Sequence, residues 1–228
     1  SEDGMKESLG EAAARYLEYT IKDGNIVGVS MGSTLFEVVS HVVHPAAQKV
    51  TFVPLVGGVG RVRMELHANS LAESLSRIYD GKFVPLHAPA RVSSRNIRDE
   101  LLKEDSLLPA IYLTQKLDIA VVGIGYPNEK SAIMATGYFK ENEIESLIDR
   151  KVAGELCMQF YDIYGDTAPY KDDNNVIGMD ISMLRSVPRS IGIAGGVEKL
   201  RAVRGAINGH YINTLITDIE CAEALISE

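Results

Sequence analysis

Cysteine is scarce in this 228-residue chain: only Cys157 and Cys221 occur, far apart and outside any CxxC or Cys/His spacing. That excludes a disulfide framework and a zinc site, and it suits a reducing cytoplasm. Basic residues are outnumbered, 23 Lys and Arg against 31 Asp and Glu, giving a net charge of −8. The sign is wrong for a domain that itself grips the nucleic-acid backbone, so any phosphate site must be local. No apolar run approaches the roughly 20 residues of a membrane span, and the opening SEDGMKESLGEAAARYL lacks the charged-then-apolar pattern of a signal peptide. No membrane partner is expected. A start at Ser1 rather than Met points to a piece of a longer protein. Also missing are a Ser/His/Asp order, GxSxG, a Walker A loop and a metal-ligand cluster. GxGxxG is absent too, because Gly123-Ile124-Gly125 runs on into Tyr126-Pro127-Asn128. Neither a dinucleotide nor any other cofactor is therefore expected.

What is present is 46% hydrophobic residues in a length that suits one full α/β domain with a large core, or two small ones. The most informative stretch is NIVGVSMGSTLFEVV, from Asn25 to Val39. Ile26, Val27 and Val29 form a β-branched run. Leu35, Phe36, Val38, Val39, Val42 and Val43 then recur at helical spacing, so the stretch reads as strand, glycine turn, helix. Thr34 with Glu37 three residues on fits a capping box, placing the helix start at Ser33 or Thr34. At such a start the unpaired backbone N–H groups and the positive end of the helix dipole favour a phosphate or carboxylate, unless Thr34 and Glu37 merely cap each other.

Leu9, Ala12, Ala13, Tyr16 and Leu17 mark an amphipathic helix before this unit. After it, 50–56 reads as a second strand ending at Gly57-Gly58, with Pro54 suggesting an edge position. Ala68 to Ile78 reads as a helix and 83–86 as a short strand, followed by helical segments around 97–102 and 107–117. Asp118 to Gly125 is a nearly continuous apolar run, as in a strand covered on both faces. Between 126 and 189 the pattern loosens into a charged helix near 141–151, a short helix near 154–161 and a polar loop at 164–175, read together as a cap or insertion. Ser190 to Ala194 then runs into Gly195-Gly196, a helix over 197–207, a strand over 211–217 and a helix over 219–226.

This alternation predicts an α/β fold with a doubly wound, mostly parallel Rossmann-like sheet. The carboxyl ends of parallel strands share one edge, so the glycines at 32, 57–58, 123 and 125, and 195–196 are expected to converge on a small phosphorylated ligand, or else to serve only tight connections. Lys199 sits in the first turn after Gly195-Gly196, where a cation opposes the helix dipole; either an anion relieves the conflict or Glu198 offsets it. Glu155 is placed at the start of the short helix near 154–161, as a dipole partner or as an acceptor for sugar hydroxyls. His67 and Asn69 open the helix after Gly60 as ligand donors, with Asn69 alternatively a cap. Arg61 and Arg63 either reach an anion or are solvated.

With these residues in view, the chain resembles the effector-binding domain of SorC/DeoR-type bacterial transcriptional regulators. The likeness runs through DGNIVGVSMGST at 23–34, VPLVGGVG at 53–60, HAN at 67–69, DIAVVGIG at 118–125, ATGYF at 135–139, GELCMQFYDIYGD at 154–166 and SIGIAGGVEKLRAVRGAINGHYINTLITD at 190–218. The resemblance implies a fold like that of sugar-phosphate isomerases and deaminases, used for sensing rather than catalysis. It implies that residues 1–228 form one effector domain, and that a phosphorylated sugar controls operator DNA binding by an N-terminal helix-turn-helix domain absent from this chain. It implies a phosphate cradle at Gly32, Ser33 and Thr34 with Lys199 as basic partner, Glu155 on sugar hydroxyls, and His67 where some members carry Gln. Ligand contacts are likewise expected at Gly57, Gly58, Asn69, Gly195 and Gly196. Two family regulators carry Lys or Arg just before the Gly57-Gly58 pair, one of them forming a Schiff base, whereas this chain has Val56. The expectation is therefore a monophosphorylated sugar or polyol held non-covalently, in a homodimer or homotetramer, with Arg61 or Arg63 replacing the missing charge. An isomerase or deaminase is the alternative.

Overall fold

The computed structural model describes residues 2–43, 45–60, 63–128, 133 and 136–227. Ile26–Val29 forms strand β1 and Ser33–His41 forms helix α2, as the sequence pattern predicts. Gly32 joins them at φ 126, a backbone conformation open to glycine and closed to most side chains. The capping box does not form. Gly32 itself holds the N-cap position, with no side-chain cap, and its carbonyl accepts the Phe36 N–H at 3.0 Å. Thr34 lies two residues past the N-cap, too far into the helix to cap it, and is buried instead.

Around this unit the chain lays down helix α1 (Glu2–Thr20), β2 (Thr51–Pro54), α3 (Ala68–Ile78), β3 (Lys82–Phe83), α4 (Arg95–Leu101), α5 (Leu108–Thr114) and β4 (Ile119–Gly123). There follow α6 (Glu141–Asp149), β5 (Gly154–Leu156), β6 (Gln159–Tyr161), β7 (Arg189–Ile193), α7 (Leu200–Asn208), β8 (Thr214–Ile216) and α8 (Ile219–Ser227). Six strands form one parallel sheet in the order β3-β2-β1-β4-β7-β8. The chain builds outward from β1 to β3, then returns to β4 on the other side, so the order reverses between β1 and β4.

Each face of the sheet has its own core. Leu9, Ala13, Leu17, Leu35, Val38, Leu71 and Leu75 from α1, α2 and α3 pack on Val27, Val29, Ile119 and Ile191. On the other face Val53, Ala120 and Val122 meet Ala110 of α5 and Ala202 and Val203 of α7. The 126–189 connection shares that second core through Leu147, Leu156, Phe160, Tyr161, Ile177 and Leu184. The sheet is thus covered on both sides, which explains the continuous apolar run of β4.

Three expectations are corrected. Pro54 is not on an edge strand: β2 lies between β3 and β1. The proline is tolerated because β3 is only two residues long and pairs with Thr51 and Phe52 alone, leaving the nitrogen of Pro54 beyond its end. The strand expected at 83–86 accordingly stops at Phe83. The short helix expected over 154–161 is an antiparallel hairpin, β5 and β6, turning through Cys157 and Met158 at φ 50 and 62. Such a turn normally advertises itself by Asn-Gly or Asp-Gly. Here both turn residues are buried, and core packing holds them in the left-handed region.

Candidate functional site

The reversal point between β1 and β4 opens a cavity of about 550 Å³ at the carboxyl edge of the sheet. Its walls come from the turn after β1, the segment after β4, the β5 hairpin and the turn after β7. From the first come Gly32, Ser33 and Thr34, so the first turn of α2 faces the cavity with its positive end. The ends of β1 and β4 are tied together by the buried Ser30, whose hydroxyl accepts the Gly123 N–H at 3.1 Å.

Glu155 reaches this edge through the hairpin. Its N–H donates to Gly125 O at 2.9 Å and its carbonyl accepts the Gly125 N–H at 3.0 Å, so β5 docks on the extension of β4. Gly125 leaves room for the Glu155 carboxylate, which a Cβ at that position would displace. One carboxylate oxygen, Oε2, accepts the Met158 N–H at 2.8 Å. Burial pushes the Glu155 carboxyl up to about 7, against the opposing pull of that N–H and of the Lys199 ammonium. Lys199 closes the turn Val197–Lys199 and lines the same cavity. A smaller recess of about 40 Å³ adjoins it, where Thr136, Cys157 and Met158 stand beside Glu155.

Of the residues singled out in the sequence, the cavity brings together Gly32, Ser33, Thr34, Glu155 and Lys199, with Gly123 and Gly125. The others stand elsewhere. Gly57 and Gly58 donate to Ile177 O at 3.0 Å and Ala88 O at 2.8 Å, so they join the second layer to β2. Val56 beside them is fully buried and bridges to Gly178. His67 occupies the N-cap position of α3, while its neighbour Leu66 accepts the Gly32 N–H at 3.0 Å. Asn69 neither caps α3 nor lines the cavity: its amide exchanges two hydrogen bonds with the main chain of Leu86, at 3.0 and 3.1 Å. Gly195 and Gly196 sit against Asp218, which accepts the Gly196 N–H at 2.6 Å. Arg63 is exposed and paired with Glu65 at 2.8 Å, and Arg61 lies outside the described residues. The glycines therefore converge only in part, because the reversal point selects the ends of β1 and β4. Lys6 of α1, Met31, Tyr126, Asn128 and Ile133 also line the cavity and carried no signal in the sequence pattern.

Chemically, a helix start and a lysine suit an anion, a half-buried carboxyl suits hydroxyl donors, and Met31 and Ile133 supply apolar wall. A pocket so placed on a Rossmann-ordered sheet defines the protein as an α/β domain built to bind a small polar molecule. Its family follows from comparison: the model described as "Putative sugar-binding domain" matches residues 1–227, and the chain belongs to that family. It is a sugar-binding domain of the SorC/DeoR type of transcriptional regulator. The deoxyribonucleoside regulator of Bacillus subtilis is 27% identical over 227 residues, which cover 99% of this chain and 72% of that protein. The transcriptional regulator LsrR of an Enterobacter species is 30% identical, covering 98% and 68%. The crystal structure of the full-length sorbitol operon regulator SorC from Klebsiella pneumoniae superposes with a TM-score of 0.90 at 29% identity, over 99% of this chain and 74% of that one. The expected fold and family are thus both found. No described helix is long and apolar enough to cross a membrane.

Proposed function

We propose that this domain senses a phosphorylated sugar, bound non-covalently in the cavity between β1 and β4. Occupancy would control operator binding by a helix-turn-helix segment outside this chain. The observation that carries the reading is the meeting of an α2 start, Lys199 and Glu155, three unlike polar features from distant parts of the sequence, around one cavity. The phosphate rests on the N–H groups of Ser33 and Thr34 opposite Lys199, the Gly32 N–H being taken by Leu66 O, and Glu155 accepts from sugar hydroxyls. Val56, an apolar residue buried away from the cavity, fits a ligand held without a Schiff base. Control requires that the ligand favour one arrangement of subunits over another, in a homodimer or homotetramer.

The test is a thermal-shift screen against sugar monophosphates, bisphosphates and their unphosphorylated parents, repeated with Lys199→Ala. A ligand at 100 times its Kd adds about 2.7 kcal/mol. One monophosphate should raise the melting temperature, its parent should not, and Lys199→Ala should abolish the shift. A response to unphosphorylated sugars alone overturns the phosphate assignment.

A sugar-phosphate isomerase or deaminase is a second reading favoured by one observation, the Glu155 carboxyl near 7, which suits a general base. His67, whose imidazole would offer a second acid or base, is not among the residues lining the cavity. Turnover of fructose 6-phosphate, glucosamine 6-phosphate or ribose 5-phosphate would establish the enzyme.

A further inference from the structure

We propose that Lys6, near the start of α1, supplies a second cation to the cavity, so that the first helix of the chain is itself part of the effector site. The inference rests on the sugar-phosphate reading above and adds to it a residue and an element remote from the β1 and β4 ends in sequence.

Lys6 arrives there by helix packing. α1 lies directly on α2, whose first turn forms the cavity wall. Where Gly10 faces α2 there is no side chain, and a Cβ there would stand 2.6 Å from the Glu37 Cβ and 2.7 Å from its carbonyl carbon. Closer to its start, α1 packs over the turn after β7. The Leu9 and Met5 side chains occupy the space above Gly195, 2.6 and 3.0 Å from where its Cβ would be. These two supports, one on α2 and one on the Gly195 turn, fix both the height and the rotation of α1. With Met5 and Leu9 turned to Gly195, the half-buried Lys6 lines the cavity together with Ser33, Thr34 and Lys199.

Among the described residues, the charges facing the cavity are Lys6 and Lys199 against Glu155 and Glu198, with the α2 dipole adding to the positive side. An anion seated at the α2 start gains from both lysines, and they come from opposite ends of the chain. The remainder of α1 is fastened to the body: the Tyr16 hydroxyl accepts from Arg189 at 2.6 Å and Glu18 accepts the Val43 N–H at 2.8 Å. Ligand contact with Lys6 therefore ties the first turns of α1 to α2 and to the Lys199 turn at once.

The test titrates the 228-residue protein with fructose 6-phosphate, ribose 5-phosphate, inorganic phosphate and the unphosphorylated sugars, comparing wild type with Lys6→Met, Lys6→Arg and Lys199→Met. Lys6→Met keeps the aliphatic stem and removes the charged head. It should weaken the bound sugar phosphate about tenfold, as expected for a charge-assisted contact, with Lys6→Arg recovering most of the loss. In hydrogen exchange, saturating sugar phosphate should protect the amides of residues 5–10 in wild type and not in Lys6→Met. Unchanged affinity in Lys6→Met beside a large loss in Lys199→Met overturns the role of Lys6 and leaves the sugar-phosphate reading standing. An equal loss for phosphorylated and unphosphorylated sugars also overturns it, because the effect would then be structural. Failure of wild type to bind any phosphorylated probe removes the underlying reading and this proposal with it.

Discussion

Replacing Glu155 by Gln isolates what it costs to hold a carboxylate at the wall of the cavity. The carboxyl is raised by burial from 4.5 to about 7 in the folded protein. At roughly 1.4 kcal/mol per pH unit, that difference corresponds to about 3 kcal/mol. Below pH 4.5 the group is protonated in both the folded and the unfolded chain, and its burial carries no charge penalty. Between 4.5 and 7 the unfolded chain releases the proton while the folded chain keeps it, so stability falls as pH rises. Above 7 both forms are ionised and the full penalty applies. Gln keeps the shape and an oxygen for the Met158 N–H, now 2.8 Å from Oε2, but does not titrate. Urea unfolding of both proteins at pH 4, 5, 6, 7 and 8 gives the difference directly and cancels every other titrating group. Wild type should be close to Glu155→Gln at pH 4 and less stable by up to about 3 kcal/mol at pH 8. A difference that stays flat across this range, or that grows toward low pH, refutes the argument. Hydroxyl donors from a sugar meet a carboxylate that burial leaves under-solvated, so Glu155→Gln should also lose sugar affinity.

Other substitutions separate packing from binding. Asn69→Ala removes both hydrogen bonds to Leu86 and should lower stability by about 1–3 kcal/mol in urea titrations, while leaving sugar-phosphate affinity intact; Lys199→Ala should lower that affinity. Gly125→Ala puts a Cβ into the Glu155 carboxylate, so that side chain must swing from its place at the cavity wall, and ligand affinity should fall. Gly10→Ala should cost about 1–3 kcal/mol by forcing α1 from α2; a neutral result would show that the two helices are not in backbone contact. Arg91 lies over the Phe139 ring at 4.2 Å and pairs with Glu143 at 3.3 Å while only partly exposed. Arg91→Met should therefore destabilise the second layer measurably, whereas breaking the exposed Arg77–Glu73 pair should change stability by less than about 1 kcal/mol.

The sequence by itself determined the parallel α/β sheet and the strand, glycine turn and helix at its centre. These depend on local periodicity and on the unbroken apolar runs that burial on both faces requires, as in Ile119–Gly123. It also marked Gly32, Ser33, Thr34 and Lys199, because their positions follow from neighbours within a few residues. The hairpin carrying Glu155 was not legible: Cys157 and Met158 adopt left-handed conformations under the compulsion of core packing, with no glycine or asparagine to announce the turn. Pro54 misled for a related reason, since only the length of the neighbouring strand decides whether its missing N–H matters. Nor could spacing tell which glycines face the cavity. That choice belongs to the strand order, which reverses between β1 and β4 and leaves Gly57 and Gly195 to pack against other parts of the chain. Lys6 is the furthest case. The packing of α1 on α2 at Gly10 and on the turn at Gly195 brings it to the cavity, and how packed elements sit on one another is decided by side-chain fit in three dimensions.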